Sequence, residues 1–146
     1  MPRVEPTGEH MPETLKLEIV TPEATAFSED VHLVTLPTAD GQIGVYPQHV
    51  RLIAQMVPGE IIVNRDGIDR SLAVGAGIIA ITADRVDIVT DMAMAADQID
   101  EAKVEEARAR AAARLREKIS DEEVASVNAS LARSLAQLQV KRRRRT

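Results

Sequence analysis

The stretch GEIIVNRDGIDRSLAV, residues 59–74, decides the fold of the first part of the chain. Two short runs rich in aliphatic residues, at residues 60–64 and 68–74, lie on either side of the pair Asp66-Gly67. An Asp-Gly pair between two such runs is the strongest short-range signal for a β-hairpin, because Gly readily adopts the positive φ that a tight primed turn requires. The stretch therefore predicts two antiparallel strands joined by a tight turn.

Similar short runs lie on both sides of this hairpin. Upstream, Leu15, Leu17 and Ile19 alternate with charged residues, which is the period-two pattern of a half-buried strand. The run at residues 31–36 is expected to end at Pro37, because proline cannot donate to a strand ladder. Further strands are expected at residues 42–45, 52–57, 78–82 and 85–90. Many short strands joined by local turns are typical of an antiparallel β-sandwich or flattened barrel.

The second part of the chain has the composition of helices. After residue 91 it is rich in Ala, Glu and Arg and contains neither Gly nor Pro. Asp97 is expected to cap a first helix, and Ser120 with Glu123 forms a capping box that starts a second. We therefore expect an α+β chain, with a β-sandwich at residues 15–94 and an antiparallel hairpin of two helices at residues 95–140.

The two ends of the chain lie outside these units. Residues 1–14 lack the apolar stretch of a signal peptide and are interpreted as a flexible N-terminal extension. Residues 141–146 contain the run KRRRR and form a basic tail. Three interpretations of this tail stay open: a solvated tail, a contact for nucleic acid or anionic lipid, and an arm that reaches an acidic surface of a protein partner.

Composition limits the function classes. Residues 1–96 carry 6 Lys and Arg against 14 Asp and Glu, an acidic balance that argues against nucleic acid as the partner of this part. Phe27 and Tyr46 are the only aromatic residues, so stacking of bases on aromatic side chains is not available. The absence of cysteine removes thiolate metal sites and thiol nucleophiles and suits a reducing compartment.

No pattern in the sequence predicts an active site. His10, His32 and His49 lie far apart without metal-ligand spacing, and neither a nucleophile elbow nor a phosphate-binding loop is found. The GAG triplet at residues 75–77 falls between two expected strands and opens no helix, so it is interpreted as a turn or bulge. We therefore predict a protein that is not an enzyme and that holds no metal or cofactor.

The stretch LPTADGQIGVYPQH, residues 36–49, closely resembles the signature of the ε subunit of bacterial F-type ATP synthases, the counterpart of the mitochondrial δ subunit. Segments at residues 17–23, 58–61, 75–78, 86–91 and 135–140 are similar to the same family and follow in the family's order. The resemblance implies a ten-stranded β-sandwich on the rotary central stalk, packed against the γ subunit and seated on the ring of c subunits. Catalysis in that family belongs to the α and β subunits.

The resemblance also implies where these partners bind. The loop at residues 40–44 corresponds to the region that meets the c ring, and the residues just after it correspond to the neighbouring contact surface for γ and c. Gln42 stands where many members have an acid, and Gln48 stands where Gly is usual. The expected contacts with γ and the c ring are Asp40, Gln42, Tyr46, Pro47 and His49.

In some bacterial members a motif at the start of the hairpin binds ATP. The matching residues here are Ile99, Asp100 and Lys103, where lysine keeps the charge of the usual arginine but loses its planar fork. ATP is therefore a candidate regulatory ligand, and an ATP-binding sensor module is the alternative function.

The family's hairpin can also rise along γ and block ATP hydrolysis. The basic residues expected to contact the α and β subunits in that state are Arg133, Lys141, Arg142 and Arg143. The resemblance places the protein on the cytoplasmic side of a bacterial inner membrane, attached only through the complex. An RNA- or lipid-binding adaptor that uses the basic tail is a third interpretation.

Overall fold

The computed structural model of the chain describes residues 13–145. The predicted N-terminal extension lies outside this range except for its last two residues, and Thr146 and His10 also lie outside it. A β-sandwich comes first and a pair of helices follows, so the α+β fold class is confirmed. The strands are β1 (Leu15–Val20), β2 (Thr25–Val31), β3 (Leu33–Thr38), β4 (Gly41–Val45), β5 (Leu52–Met56), β6 (Gly59–Arg65), β7 (Ile68–Val74), β8 (Gly77–Ile81), β9 (Arg85–Thr90) and β10 (Ala93–Ala95).

The ten strands form one continuous sheet that folds into two layers. One layer has the order β10-β7-β6-β3-β4 and the other the order β5-β8-β9-β1-β2. The two layers are joined where Thr38 of β3 pairs with Met56 of β5. Buried aliphatic side chains from both layers fill the space between them and form the main core: Leu15, Leu17, Ile19, Val31, Val34, Leu36, Val45, Met56, Ile61, Val63, Leu72, Val74, Ile79, Ile81, Val86 and Ile88.

The hairpin predicted at residues 59–74 is present. Strands β6 and β7 pair antiparallel from Gly59 opposite Val74 to Arg65 opposite Ile68. Asp66 and Gly67 have φ of 55° and 79°, so both central residues of the turn take the positive φ that the sequence pattern predicts.

Three details of the strand prediction were wrong. Strand β2 was missed because its side chains are mostly exposed and polar, as expected of an edge strand that pairs only with β1. Strand β3 does not end before Pro37, because the proline carbonyl still accepts a hydrogen bond from the amide of Val57, at 3.1 Å. Strands β1 and β9 pair in parallel, whereas the other strand pairs of the described residues are antiparallel.

The helical part begins with a short 3₁₀ helix (Ala96–Gln98), followed by α1 (Glu101–Leu115) and α2 (Asp121–Arg145). Asp97 lies within the 3₁₀ helix, so its predicted role as the cap of α1 is wrong. Asp100 is the cap, and its carboxylate accepts hydrogen bonds from the amides of Ala102 and Lys103, at 3.1 and 3.2 Å. Because the 3₁₀ turn and the extended backbone of Ile99 precede it, α1 begins about one turn later in the sequence than predicted.

The second helix begins as predicted and ends later than predicted. The Glu123 amide donates to Ser120 Oγ at 3.2 Å, which confirms the capping role of Ser120. The backbone of α2 continues to Arg145, so the basic residues from position 141 onward extend the helix and are not a separate tail. None of the helices in residues 13–145 is long and apolar enough to cross a membrane.

The helical hairpin packs against the sandwich. A second apolar cluster joins Leu138 and Val140 of α2 to Ile99, Val104 and, on the outer face of β7, Ala73. The hairpin therefore covers the outer face of β6 and β7.

Candidate partner-binding surfaces

The outer face of β5, β8 and β9 exposes three large aliphatic side chains. Ile53, Ile78 and Val89 are between 53% and 76% exposed. Ile78 lies directly opposite Val89, and Ile53 lies diagonally across from Ile78 in the β5–β8 pair. We call these three residues the apolar patch. Large exposed apolar patches on a folded domain mark surfaces that bind other proteins, so these residues are a candidate surface of this kind.

The first predicted contact loop is the turn between β3 and β4. Asp40 and Gln42 are exposed there, and the amide of Asp40 donates to Thr38 Oγ1 at 3.2 Å. Gly41 has a φ of 117°, which a residue with a side chain rarely adopts. The turn is therefore built by Thr38 and Gly41, and it presents two polar side chains to the surroundings.

The remaining predicted contacts lie in the loop between β4 and β5. Tyr46 is exposed, and Pro47 and His49 are half-buried. Gln48 adopts a φ of 71°, and its amide bonds to the carbonyl of Ala83 at 2.6 Å. The loop thus keeps the left-handed backbone that glycine favours, although glutamine occupies the position.

The structure does not bring all five predicted contact residues together. Asp40 and Gln42 lie at one end of β4, and Tyr46, Pro47 and His49 follow its other end. A strand of this length separates the two groups by roughly 15 Å. The five predicted contacts therefore lie in two separate regions at opposite ends of β4.

The residues that match the ATP-binding motif have local structural roles. Ile99 is buried in the second apolar cluster, and the Asp100 carboxylate caps α1. The side chain of Lys103 is exposed, and its amide donates to Asp100. ATP binding at this point stays a prediction.

With the hairpin docked, the four basic residues predicted to contact a catalytic head meet groups of the same chain. Arg133 pairs with Asp91 at 3.1 Å, and Lys141 Nζ donates to the Ala96 carbonyl at 3.4 Å. Both contacts tie α2 to the region where the sandwich ends and the hairpin begins.

The last two of these four are adjacent arginines that face different partners. Arg142 pairs with Glu101 and Glu105 of α1, at 2.9 and 2.6 Å. Arg143 reaches the sandwich and pairs with Glu60 of β6, and the hydrogen bonds with this carboxylate raise the pKa of Arg143.

Several residues of these surfaces were not singled out from the sequence. Ile78 and Val89 fall in continuous aliphatic runs, so periodicity alone did not show that their side chains point outward. Sequence signals were available for Glu60 and Asp91, because Glu60 directly precedes the apolar run IIV and Asp91 directly follows an apolar strand. Their partners on α2 are distant in sequence and no local pattern identifies them.

The described residues thus form a sandwich with an exposed apolar patch, and this sandwich carries a docked helical hairpin. Residues 14–96 match the family model described as ATP synthase, Delta/Epsilon chain, beta-sandwich domain, and residues 97–142 match the one described as ATP synthase, Delta/Epsilon chain, long alpha-helix domain. The chain belongs to this family, which confirms the resemblance found in its sequence.

Individual relatives agree with this assignment. The chain is 36% identical over 131 residues to the ATP synthase epsilon chain of Herpetosiphon aurantiacus, an alignment that covers 90% of this chain and 96% of that protein. It is 39% identical over 126 residues to the ATP synthase epsilon chain of Chloroflexus aggregans, with 86% and 91% of the two chains covered.

A solved structure has the same fold. It is a chain of the Euglena gracilis mitochondrial ATP synthase, in a structure of OSCP, F1 and the c-ring, with a TM-score of 0.72 and 21% identity. The similarity covers 95% of this chain and 88% of that one.

Proposed function

We propose that the chain is the non-catalytic central-stalk subunit of a proton-translocating F-type ATP synthase, which couples γ to the c ring and inhibits ATP hydrolysis through its hairpin. Its place would be the cytoplasmic side of a bacterial inner membrane, attached through the complex. The family supports the assignment to an ATP synthase. The observation that carries the proposal is the apolar patch, which the main core of the sandwich does not need.

The apolar patch suits γ as its partner. The main core is complete between the two layers, so Ile53, Ile78 and Val89 contribute nothing to it. Burying such side chains against a second protein gains about 25 cal/mol for each Å² of apolar surface removed from water. Tyr46 and Val50, both exposed in the loop that leads into β5, extend the same kind of surface.

The polar end of β4 suits the c ring. Asp40 and Gln42 offer a carboxylate and a neutral amide on a turn held by Thr38, which fits hydrogen bonding to polar loops. Because Gln42 is uncharged, its contact would be a neutral hydrogen bond, weaker than one with an ionised partner. A sandwich with an apolar side and a polar end can join two different rotor components.

The hairpin supplies the regulatory part of the proposal. It is docked in this structure, and the guanidinium groups of Arg133, Arg142 and Arg143 are engaged by carboxylates of the same chain. A lifted hairpin would present these groups to acidic surfaces of the α and β subunits. Inhibition would therefore require the hairpin to leave the sandwich.

The binding of γ to full-length protein tests the proposal with two matched variants. Ile78→Asp places a charge in the apolar patch, and Ile68→Asp makes the same change at a similarly exposed position at the start of β7. We expect Ile78→Asp to weaken binding about 30-fold or more, the effect of losing a residue central to an interface. Ile68→Asp should bind like the parent; equal affinities of the two variants would contradict the assignment of the patch to γ.

A further inference from the structure

A buried carboxylate lies beneath the end of α2. Glu60 stands on the outer face of β6, and its side chain is only 7% exposed. Arg143 Nε lies 2.8 and 2.9 Å from the two carboxylate oxygens, and Arg143 Nη2 lies 2.8 Å from Oε2. The same Nη2 donates to Ser71 Oγ at 3.1 Å. The guanidinium thus meets both oxygens of the carboxylate as a planar fork, which is a strong and directional contact.

The position of Glu60 makes this contact depend on the hairpin. Glu60 lies directly opposite Ala73 on the neighbouring strand, and Ala73 is fully buried in the cluster with Leu138 and Val140. The docked helix therefore covers both the carboxylate and the apolar surface next to it. With the hairpin lifted, this face of β6 and β7 would be open to water.

The other charged contacts of α2 differ from this one. The adjacent Arg142 pairs with Glu101 and Glu105, which belong to the hairpin itself. Arg133 does reach Asp91, but both side chains are about one-third or more exposed, and exposed pairs contribute little. Glu60 is the charged side chain that the docked helix buries most deeply among these contacts.

A buried carboxylate is costly when its cationic partner is removed. Breaking such a pair is strongly destabilising, because an uncompensated charge stays in a low-dielectric site. Here the hairpin can escape that cost by lifting, which returns Glu60 to water. The pair therefore acts on the docking equilibrium more than on the folding of the sandwich.

We propose that Glu60 and Arg143 form a latch that holds the hairpin on the sandwich. The hairpin lifts only when the guanidinium separates from the carboxylate. The latch itself is a property of the isolated chain. Its consequence for regulation rests on the proposed function: acidic surfaces of a catalytic head would compete with Glu60 for the same guanidinium.

A single cysteine can report on the latch, because the chain has none of its own. In the full-length Ala73→Cys protein, a maleimide should reach the thiol only when the hairpin has lifted. Adding Arg143→Gln should raise the labelling rate about tenfold or more. This effect is smaller than for a fully buried pair, because about half of the Arg143 side chain is exposed. Adding Arg142→Gln, the same change one residue earlier, should alter the rate less than twofold.

Two further variants separate the latch from a general loss of structure. Glu60→Gln added to Arg143→Gln should bring the rate back toward the parent's, because no buried charge is then left without a partner. A cysteine at Val34, in the main core, should stay protected in the Arg143→Gln background. If Ala73→Cys itself loosens the docking, Met94→Cys gives a second reporter for the same comparison, because Met94 is partly buried against the same cluster.

Equal labelling of the Arg142 and Arg143 variants at both reporters, or no rescue by Glu60→Gln, would overturn the latch. Exposure of the Val34→Cys thiol together with the reporter would overturn it as well, since the sandwich itself would then be opening. No catalytic head is present in this experiment. Failure of the latch is therefore distinct from failure of the proposed function.

Discussion

Replacing Leu138 with alanine should release the hairpin while leaving the sandwich folded. Leu138 is buried in the second apolar cluster, between α2 and the outer face of β7. A fully buried leucine costs about 2–5 kcal/mol when truncated to alanine. Because the helix can settle partly into the gap, we expect a cost of about 2–3 kcal/mol. This cost lowers the ratio of docked to lifted hairpin about 30- to 160-fold.

Urea unfolding followed by circular dichroism at 222 nm tests this prediction, because the helices dominate the signal there. The variant should lose its helical signal at lower urea than the parent, while a cysteine at Val34 becomes reactive at the same urea concentration in both. Leu135→Ala is the matched control, since Leu135 is on the same helix and half-exposed. Equal shifts for the two leucine variants, or equal shifts of the helical and the Val34 transitions, would refute the reasoning.

Three other predictions concern the sandwich. Gln48→Gly should raise the free energy of unfolding by up to about 1 kcal/mol. The substitution relieves left-handed backbone strain of about 1–2 kcal/mol and adds a smaller cost in backbone conformational entropy. A lower urea midpoint for the variant would contradict this prediction. Gly77→Ala should cost about 1–3 kcal/mol and lower the melting temperature, because its Cβ would overlap the backbone carbonyl of Val89; an unchanged melting temperature would show that β8 and β9 can separate there. The hydrogen bond from Arg70 lowers the pKa of Glu29 below its usual 4.5. The stabilising effect of Glu29 should therefore be complete well above pH 4.5 and be lost as the pH falls through the lowered pKa. In urea titrations the difference in stability between the parent and Glu29→Gln should shrink over that range, and a constant difference would argue against this prediction.

The features predicted correctly are those that neighbouring residues determine. The turn at Asp66 needs only a residue that tolerates positive φ followed by glycine, and the start of α2 needs only a hydroxyl three residues before an acid. Both signals lie within a few residues of each other. Local sequence therefore identifies them without knowledge of the rest of the fold.

The features that were missed depend on distant residues. The parallel pairing of β1 with β9 joins segments about 70 residues apart, and no local pattern specifies such a neighbour. Asp97 and Asp100 are equally good capping residues by type, and the 3₁₀ turn that contains Asp97 decided the outcome. The sequence showed the arginines at the end of α2 as a basic run, but only the docked hairpin brings Arg143 to Glu60.

The same reasoning applies to the contact surfaces. The resemblance predicted the loops at both ends of β4, because their residues are contiguous in the sequence. The apolar patch was not predicted, since it joins residues from three strands that lie side by side only in the folded sheet. Outward-facing isoleucine and valine look the same in sequence as those of the core.

ATP hydrolysis by a catalytic head that contains γ but lacks this subunit tests the central claim most directly. The head would receive either the full-length chain or a version ending at residue 98, which keeps all ten strands and the main core. The account predicts that both versions bind the head and that only the full-length chain slows hydrolysis. Failure of both versions to bind, or equal hydrolysis rates with the two bound versions, would contradict the claim that the sandwich anchors the protein and the hairpin inhibits.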